Sequence, residues 1–169
     1  MNDLLDLSTS NPEFRSKPPA LRKRINEALL IIEAFGTPVQ GMTPRKKERM
    51  AMCFMSLAGM TKTSKWKNAK DISNNISMKS RDIISYVNTH FGERISPGSY
   101  DDIRRQDLKL LVLSGIVSRT KPSSNRNDPS RGYAVSEIHG PVIRSYASQN
   151  WNKSLSKFML CCIIVRPSG

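Results

Sequence analysis

The fold is decided by the stretch Ser96–Ile116, which reads SPGSYDDIRRQDLKLLVLSGI and which we call the central segment. Its Pro-Gly pair breaks whatever structure precedes it, and Gly115 ends the helix that follows. Ser99 and Asp102 have the spacing of a capping box, in which side-chain oxygens accept bonds from free backbone N–H groups at a helix start. The central segment therefore predicts one helix that begins near Ser99.

This predicted helix has two different faces. At about 100° per residue, apolar side chains gather on one side of a helix and polar side chains on the other. The core face consists of Tyr100, Ile103, Leu110 and Leu111. The opposite face consists of Asp102, Arg105, Gln106 and Lys109. Such a helix packs against a core and presents a polar face to a partner, which we expect to be anionic.

Strand signals follow the central segment and enclose a basic loop. Ile116–Arg119 and Gly132–Ser136 are predicted strands, and the loop between them is rich in turn formers and in basic side chains. Helix, strand, basic loop and strand follow one another as in a winged helix, which reads the major groove with the helix and contacts the backbone or a minor groove with the loop.

Apolar stripes elsewhere in the chain predict a mainly α protein. Helical spacing is found over Leu21–Phe35, after the Thr43-Pro44 pair and over Ser80–Phe91, with a further short helix over Ile138–Tyr146. The fold class is therefore a helical bundle with a winged-helix module, that is, a helix-turn-helix plus a β-hairpin. Residues 1–20 are expected to be a loose leader, residues 21–159 the DNA-binding domain, and residues 160–169 a divergent tail at a candidate truncation point.

The charge of the chain favours a polyanion as partner. Lys and Arg number 27 against 14 Asp and Glu, which gives a net charge of +13 and an isoelectric point of about 10.1. Since the excess is spread along the chain, a broadly basic folded surface fits better than a basic tail. Nucleic acid is the first expectation, an acidic membrane surface the second, and a solvated surface without a partner the third.

Other side chains carry little sign of chemistry. Cys53 lies in an apolar stripe and is predicted to be core, and three cysteines with two scattered histidines predict neither disulfides nor a zinc site. Trp66 stands among lysines, and we favour an anchor in the core over base stacking. No signal peptide or apolar run of membrane-spanning length is visible, so a cytoplasmic protein is expected.

Several stretches together resemble a known family. They are Ser80–Gly92, Tyr100–Leu108, Gly115–Val117, Asn127-Asp128 ahead of Gly132–Val135, and Asn150-Trp151. They resemble the N-terminal region of the BsuBI/PstI type II restriction endonucleases over about residues 22–159, and Ile103–Gln106 with the following strand pair is the most specific part. The resemblance fades after Met159.

The resemblance implies a helical DNA-binding part with winged-helix character. It also implies a C-terminal Mg²⁺-dependent nuclease of the PD-(D/E)XK kind, which cuts a short palindrome, usually as a homodimer. The catalytic carboxylates of the family belong to that C-terminal part, so no catalytic or metal-binding residue and no cofactor is predicted in this chain. Asp107-Leu108-Lys109 spells half of the nuclease motif, but it falls in a predicted helix, where the two side chains would not converge.

The leading hypothesis is a sequence-selective double-stranded DNA-binding domain of such an enzyme. The side chains that would face the groove of the DNA are those of Arg105, Gln106 and Lys109. Arginine can bind guanine, and glutamine can bind adenine, with two hydrogen bonds. Arg104 would hold a phosphate. The remaining candidate DNA-binding residues lie at the helix start or in the hairpin and its loop: Ser99, Tyr100, Arg119, Asn125, Arg126 and Arg131.

Three alternatives stay open. The chain could be a free-standing winged-helix regulator that binds DNA without cutting it, or a protein-interaction domain that dimerises through the same helices. The third is that Arg105 and Lys109 belong to a solvated helix face paired to Asp101 and Asp102.

Overall fold

The computed structural model describes residues 4–120 and 132–165, and most of these residues are helical. The helices and strands, in chain order, are α1 (Pro12–Arg15), α2 (Pro19–Ala34), α3 (Pro44–Leu57), α4 (Ser80–Phe91), α5 (Tyr100–Asp102), α6 (Lys109–Leu113), β1 (Val117–Arg119), β2 (Tyr133–Val135), α7 (Gly140–Arg144) and α8 (Trp151–Val165). A mainly α fold with a small hairpin is therefore confirmed. No helix in the described ranges is long and apolar enough to cross a membrane.

Helices α2, α3 and α4 form the centre of the core, and their bounds follow from local sequence. The hydroxyl oxygen of Thr43 accepts a bond from the backbone N–H of Lys46 at 3.3 Å, and Pro44 occupies the first helical position, as predicted. Helix α4 ends at Gly92, whose φ of 69° suits glycine. The predicted apolar stripes of these helices are buried.

Residues 4–20 contact the core through isolated buried side chains, so the expectation of a loose leader differs from the structure. Leu5 and Phe14 are each 1 % exposed. The side chain of Asn26 clamps Leu5 from α2: its Oδ1 accepts from the Leu5 N–H, and its Nδ2 donates to the Leu5 carbonyl, both at 2.8 Å. The prolines of this segment begin helices instead of keeping it extended, and isolated apolar residues between them reach the core.

A buried ionic network ties α1 and α3 to the turn after α4. The Nζ of Lys17 lies 3.1 Å from Glu48 and 2.5 Å from Glu93, and Arg45 contacts the same two carboxylates at 2.9 and 2.7 Å. Burial alone would raise the pKa of Glu93, but hydrogen bonds from Arg45 and Lys17 outweigh it and lower that pKa. The carboxylate of Glu93 is therefore held ionised by the two cations.

The predicted hairpin is present, and a third segment joins it. Strands β1 and β2 are antiparallel, with Val117 opposite Val135 and Arg119 opposite Tyr133. On the other side of β2, Met78 and Tyr133 exchange two backbone hydrogen bonds of 2.9 and 2.7 Å. The hairpin is thus bonded to the residues that lead into α4.

Two interpretations of single core residues are confirmed. Trp66 is 4 % exposed and stacks on Phe54, with the ring centroids 6.0 Å apart, so it anchors the lysine-rich loop. Cys53 is buried, and burial raises the pKa of its thiol well above the usual value. A thiol in such surroundings is an inert packing group.

Candidate nucleic-acid interface

The central segment is helical but does not form the continuous α-helix that was predicted. A 3₁₀ turn over Pro97–Ser99 leads into α5, a π-helical stretch covers Ile103–Asp107, and α6 follows. The π-helical stretch is closed by a bond of 2.9 Å from the backbone N–H of Leu108 to the carbonyl of Ile103, five residues back. This stretch places one extra residue in the turn that carries the basic side chains.

The predicted capping box does not form. Ser99 makes no capping bond, because it already belongs to the 3₁₀ turn, with φ and ψ of −80° and 11°. Ser96 starts the segment instead, and its hydroxyl oxygen accepts from the N–H of Gly98 at 3.3 Å. The helical segment begins three residues earlier than the box implied, since Pro97 can occupy a first helical position.

A buried ion pair accompanies the π-helical stretch. Asp107 is 5 % exposed, and one of its carboxylate oxygens lies 3.0 Å from Nη2 and 3.1 Å from Nε of Arg49 on α3. Burial raises the pKa of Asp107, against the opposing effect of Arg49. The extra residue lets Asp107 and Leu108 both face the core, whereas the predicted core face used Leu110, which is only partly buried.

The polar face is confirmed as exposed. Asp102, Arg105, Gln106 and Lys109 are all exposed, and 70 % of the Arg105 side chain is accessible. Tyr100 was predicted on the core face, and this is wrong, because its side chain is 41 % exposed beside a 3₁₀ turn. Its ring lies 4.9 Å from the guanidinium carbon of Arg81.

Four of the candidate cations meet in one groove. The groove measures about 620 Å³ and lies between the central segment and the hairpin. Its walls are formed by Arg104, Arg105, Lys109, Val112, Leu113, Arg119 and Tyr133. Gln106 lies exposed beside it, and Ser99 lines a separate depression near Arg49 and Arg94. The candidate residues Asn125, Arg126 and Arg131 lie outside the described residues.

Acidic side chains partly neutralise this groove. Asp101 lies 2.9 Å from Nη2 of Arg104 and 3.7 Å from Nη2 of Arg105. The alternative of a solvated helix face paired to Asp101 and Asp102 is therefore right in part. Among the described residues, Asp101 lies near both arginines, whereas Asp102 forms no ion pair with them. Lys109 and Arg119 form no ion pair with another described residue. Exposed cations without internal partners are available to phosphate groups.

Two contributors to this surface were missed from sequence. Arg81 reaches Tyr100 from α4, nineteen positions earlier in the chain, and Arg49 reaches Asp107 across 58 positions. No periodicity or short motif connects residues so far apart. The available signal was that Arg81 is a basic residue near the N-terminus of α4, which the helix dipole disfavours, and this signal is weak.

Acidic, histidine and cysteine side chains do not cluster in the described residues. Within residues 4–120 and 132–165, no three His, Cys, Asp or Glu side chains come together as metal ligands would. Asp107 is buried against Arg49, whereas Lys109 is exposed, so the Asp-Leu-Lys triplet does not bring its charged groups together. His139 is buried between Phe35 and Phe158, and burial lowers its pKa to about 4.

Comparison with a solved structure shows the same fold. The structure of SdaI restriction endonuclease matches with a TM-score of 0.66 and 21 % identity, over 80 % of this chain and 41 % of that chain. Among curated proteins, the type II restriction enzyme BsuBI of Bacillus subtilis is 23 % identical over 141 residues, which are 82 % of this chain. The chain spans 42 % of that relative's length.

The match to a protein family covers most of the chain. The sequence model of the BsuBI/PstI restriction endonuclease HTH domain matches residues 22–162. These residues include α2 to α7, the central segment and the hairpin. The resemblance found from sequence is thereby confirmed, and the chain belongs to the BsuBI/PstI restriction endonuclease HTH domain family.

Proposed function

We propose that this chain is a sequence-selective double-stranded DNA-binding domain of a BsuBI/PstI-like type II restriction endonuclease. The observation that carries the proposal is the groove in which Arg104, Arg105, Lys109 and Arg119 meet between a helical segment and a hairpin. A row of exposed cations beside an exposed amide matches the needs of duplex recognition, since cations hold phosphates and the amide can read a base edge.

The order of the elements supports a winged-helix arrangement. Helices α3 and α4 precede the central segment, the β1–β2 hairpin follows it, and Met78 adds a short third pairing to β2 before α4 begins. In this arrangement the central segment enters the major groove. Asn125, Arg126 and Arg131 would belong to the loop of the wing and contact the backbone or a minor groove.

Each side chain of the interface has a proposed role. Arg105 and Gln106 are exposed at the middle of the central segment and would contact base edges. Arg104, Lys109 and Arg119 line the groove and would bind phosphates. Ser99 and Tyr100 lie near the start of the central segment and would contact the DNA backbone at the edge of the interface.

Cleavage is proposed for a larger protein and not for this chain alone. The chain spans about two fifths of the length of the restriction enzymes that it matches. A Mg²⁺-dependent nuclease domain, when present, would cut the duplex that this domain selects. Site-specific cutting of plasmid by this chain with Mg²⁺ would contradict that division of labour, whereas binding without cutting is also what a regulator would show.

Duplex binding at increasing salt tests the proposal. Affinity for short duplexes should fall steeply between about 50 and 200 mM salt, because bound cations release counterions from DNA. A binding constant that stays unchanged over this range would contradict DNA binding and favour the protein-interaction alternative.

The variant Arg105→Ala tests the role in base reading. It should lose about 1–3 kcal/mol of discrimination at one base pair, measured by competition between duplexes that differ at single positions. Lys157→Ala, an exposed cation of α8, removes the same charge elsewhere and should leave discrimination intact. Equal weakening on every duplex would make Arg105 a phosphate contact.

An apolar groove favours homodimer formation as a second candidate function. It measures about 840 Å³ and lies between the end of α2, the start of α7 and α8. Ile138 on its wall is 61 % exposed. Exposed apolar side chains gathered in one place can mark contact sites between proteins. Sedimentation at rising protein concentration should reveal the dimer, and a constant monomer mass would exclude it.

A further inference from the structure

One acidic residue lies among the candidate DNA contacts and holds both arginines. Asp101 is 47 % exposed in its side chain, and its two carboxylate oxygens face Arg104 at 2.9 Å and Arg105 at 3.7 Å. A surface pair of this kind adds little to folding stability. A negative charge beside a duplex also repels the phosphate backbone. An acid in the first turn of α5 suits the helix dipole, but neither the ion pairs nor the affinity for DNA explains why this carboxylate faces both arginines.

We propose that Asp101 is a positioning residue that sets the sequence discrimination of the domain by restraining Arg104 and Arg105. This assignment rests on the DNA-binding function proposed above. Asp101 does not itself contact a base; it limits where the two guanidinium groups can go.

The contact with Arg105, the proposed base reader, leaves most of that guanidinium available. Its Nη2 lies 3.7 Å from a carboxylate oxygen of Asp101, and 70 % of the side chain is accessible. A guanidinium carries five N–H donors in a fixed fork, so a second edge stays free to bind a planar acceptor pair. Guanine presents such a pair in its O6 and N7 atoms. The restrained arginine can therefore reach a base while it keeps its carboxylate.

A phosphate contact is affected differently. In duplex DNA, phosphates lie along both sides of the major groove, and an unrestrained arginine can reach several of them. The carboxylate of Asp101 opposes such contacts in two ways, since it holds the guanidinium and it repels the phosphate that approaches. Binding to DNA of arbitrary sequence depends chiefly on phosphate contacts. The carboxylate of Asp101 therefore weakens it more than it weakens binding to the selected sequence.

The chain offers a matched control next to Asp101. Asp102 is exposed on the same segment and forms no ion pair with another described residue. The change Asp102→Asn removes the same charge at nearly the same place without freeing an arginine. Comparison of Asp101→Asn with Asp102→Asn therefore separates the release of the arginines from the general effect of charge.

The test uses the whole chain and a pool of short duplexes of random sequence. The unchanged protein first selects its best duplex from the pool, and each variant is then titrated with that duplex and with the unselected pool. We expect Asp101→Asn to lower the ratio of selected to unselected affinity about five- to tenfold relative to Asp102→Asn. Its salt slope on the unselected pool should steepen by about one, as for one added phosphate contact.

A double-mutant cycle checks that Asp101 acts through the arginines. In a background that carries Arg104→Gln and Arg105→Gln, Asp101→Asn should change the ratio no more than Asp102→Asn does. Thermal unfolding of each variant verifies that the fold is kept.

Three outcomes would overturn the inference. They are equal ratios for Asp101→Asn and Asp102→Asn, a weaker binding of both duplexes by Asp101→Asn, and an undiminished effect in the arginine-free background. The second outcome would mean that the carboxylate supports binding to DNA of any sequence and does not oppose phosphate contacts. If the unchanged protein binds no duplex, the proposed function fails, and this result is distinct from all three.

Discussion

Asp107 shows how one acidic side chain affects which residues of the central segment face solvent. Its carboxylate is buried, accepts a hydrogen bond from Nε of Arg49 and lies 3.0 Å from Nη2 of the same residue. The neighbouring side chains of Arg105, Gln106 and Lys109 are exposed. The ion pair with α3 and the π-helical turn together hold the segment in this orientation.

The pKa of Asp107 leads to a prediction about Arg49. Burial raises this pKa above its ordinary value, so the stability that its protonation supplies is complete below pH about 4 and is lost as pH rises through the folded-state pKa. Arg49→Met removes the cation that offsets this loss. We expect unfolding free energy to fall by about 3 kcal/mol at neutral pH and by clearly less near pH 4, as measured by urea denaturation.

Two further variants make this prediction specific. Arg94→Met, at an exposed arginine, should have little effect at either pH. Adding Asp107→Asn to Arg49→Met should recover most of the neutral-pH loss, because no uncompensated charge is then buried. An equal loss at both pH values would mean that Arg49 contributes by packing and not by charge.

At the scale of elements, α7 is held against the loop that precedes α4. Asp71 is 2 % exposed, and its Oδ2 accepts from Nη1 of Arg144 at 2.9 Å. Gly140, the first residue of α7, lies against the same carboxylate. Burial alone would raise the pKa of Asp71, but bonds from Ser73 and Arg144 outweigh it and lower that pKa.

The close approach at Gly140 predicts a costly substitution. A Cβ at this position would overlap Asp71 Oδ2 and lie 2.7 Å from its Cγ, in a carboxylate that cannot move without losing its partners. Gly140→Ala should therefore lower the unfolding free energy by about 1–3 kcal/mol, measured by thermal or urea unfolding. Gly98→Ala is the control, since its added Cβ would meet only Ser96 at 3.7 Å. An unchanged or raised stability for Gly140→Ala would show that α7 shifts freely.

Local sequence was sufficient to predict elements whose causes are local. The Thr43 cap, the glycine that follows α4 and the strand signals on both sides of the basic loop each act within a few positions, and all three were found. The π-helical stretch could not be predicted, because a fixed angle per residue assumes α geometry and the pairing of Asp107 with Arg49 spans 58 positions. The same reasoning placed Tyr100 on the wrong face.

At the scale of the whole molecule, the basic side chains that line the groove were predicted better than the ion pairs that they form. The groove brings together Arg104, Arg105, Lys109 and Arg119, which the order of helix and hairpin already indicated. The packing of residues 4–20 against the core was missed, since Leu5 and Phe14 stand alone among polar residues and prolines. Their partners belong to elements that a pattern along the chain does not reveal.

The buried ionic network predicts how stability depends on pH. Glu93 has a lowered pKa, so its contribution is complete above its ordinary value of 4.5 and is lost as pH falls through the folded-state pKa. Glu93→Gln should lower the unfolding free energy by about 3 kcal/mol at neutral pH, because Lys17 and Arg45 then share one carboxylate. The difference in unfolding free energy between Glu93→Gln and the unchanged protein should shrink as pH falls through the folded-state pKa of Glu93. The unchanged protein then also loses the negative charge of this side chain.

Urea unfolding over a range of pH measures this effect. Glu13→Gln, at an exposed glutamate of α1, is the control and should follow the unchanged protein. A deficit that is the same at acidic and neutral pH would show that Glu93 acts through its shape and hydrogen bonds alone.

The contact between Lys17 and Glu93 also bears on the order in which the protein can fold. The two residues are 76 positions apart, so Lys17 leaves the ribosome long before its partner has been synthesised. Until then the N-terminal helices can form, but they lack the carboxylate that holds them to the turn after α4. This part of the ionic network therefore forms only after four helices have been synthesised, whereas the contacts of Leu5 with Asn26 and of Lys17 with Glu48 can form earlier.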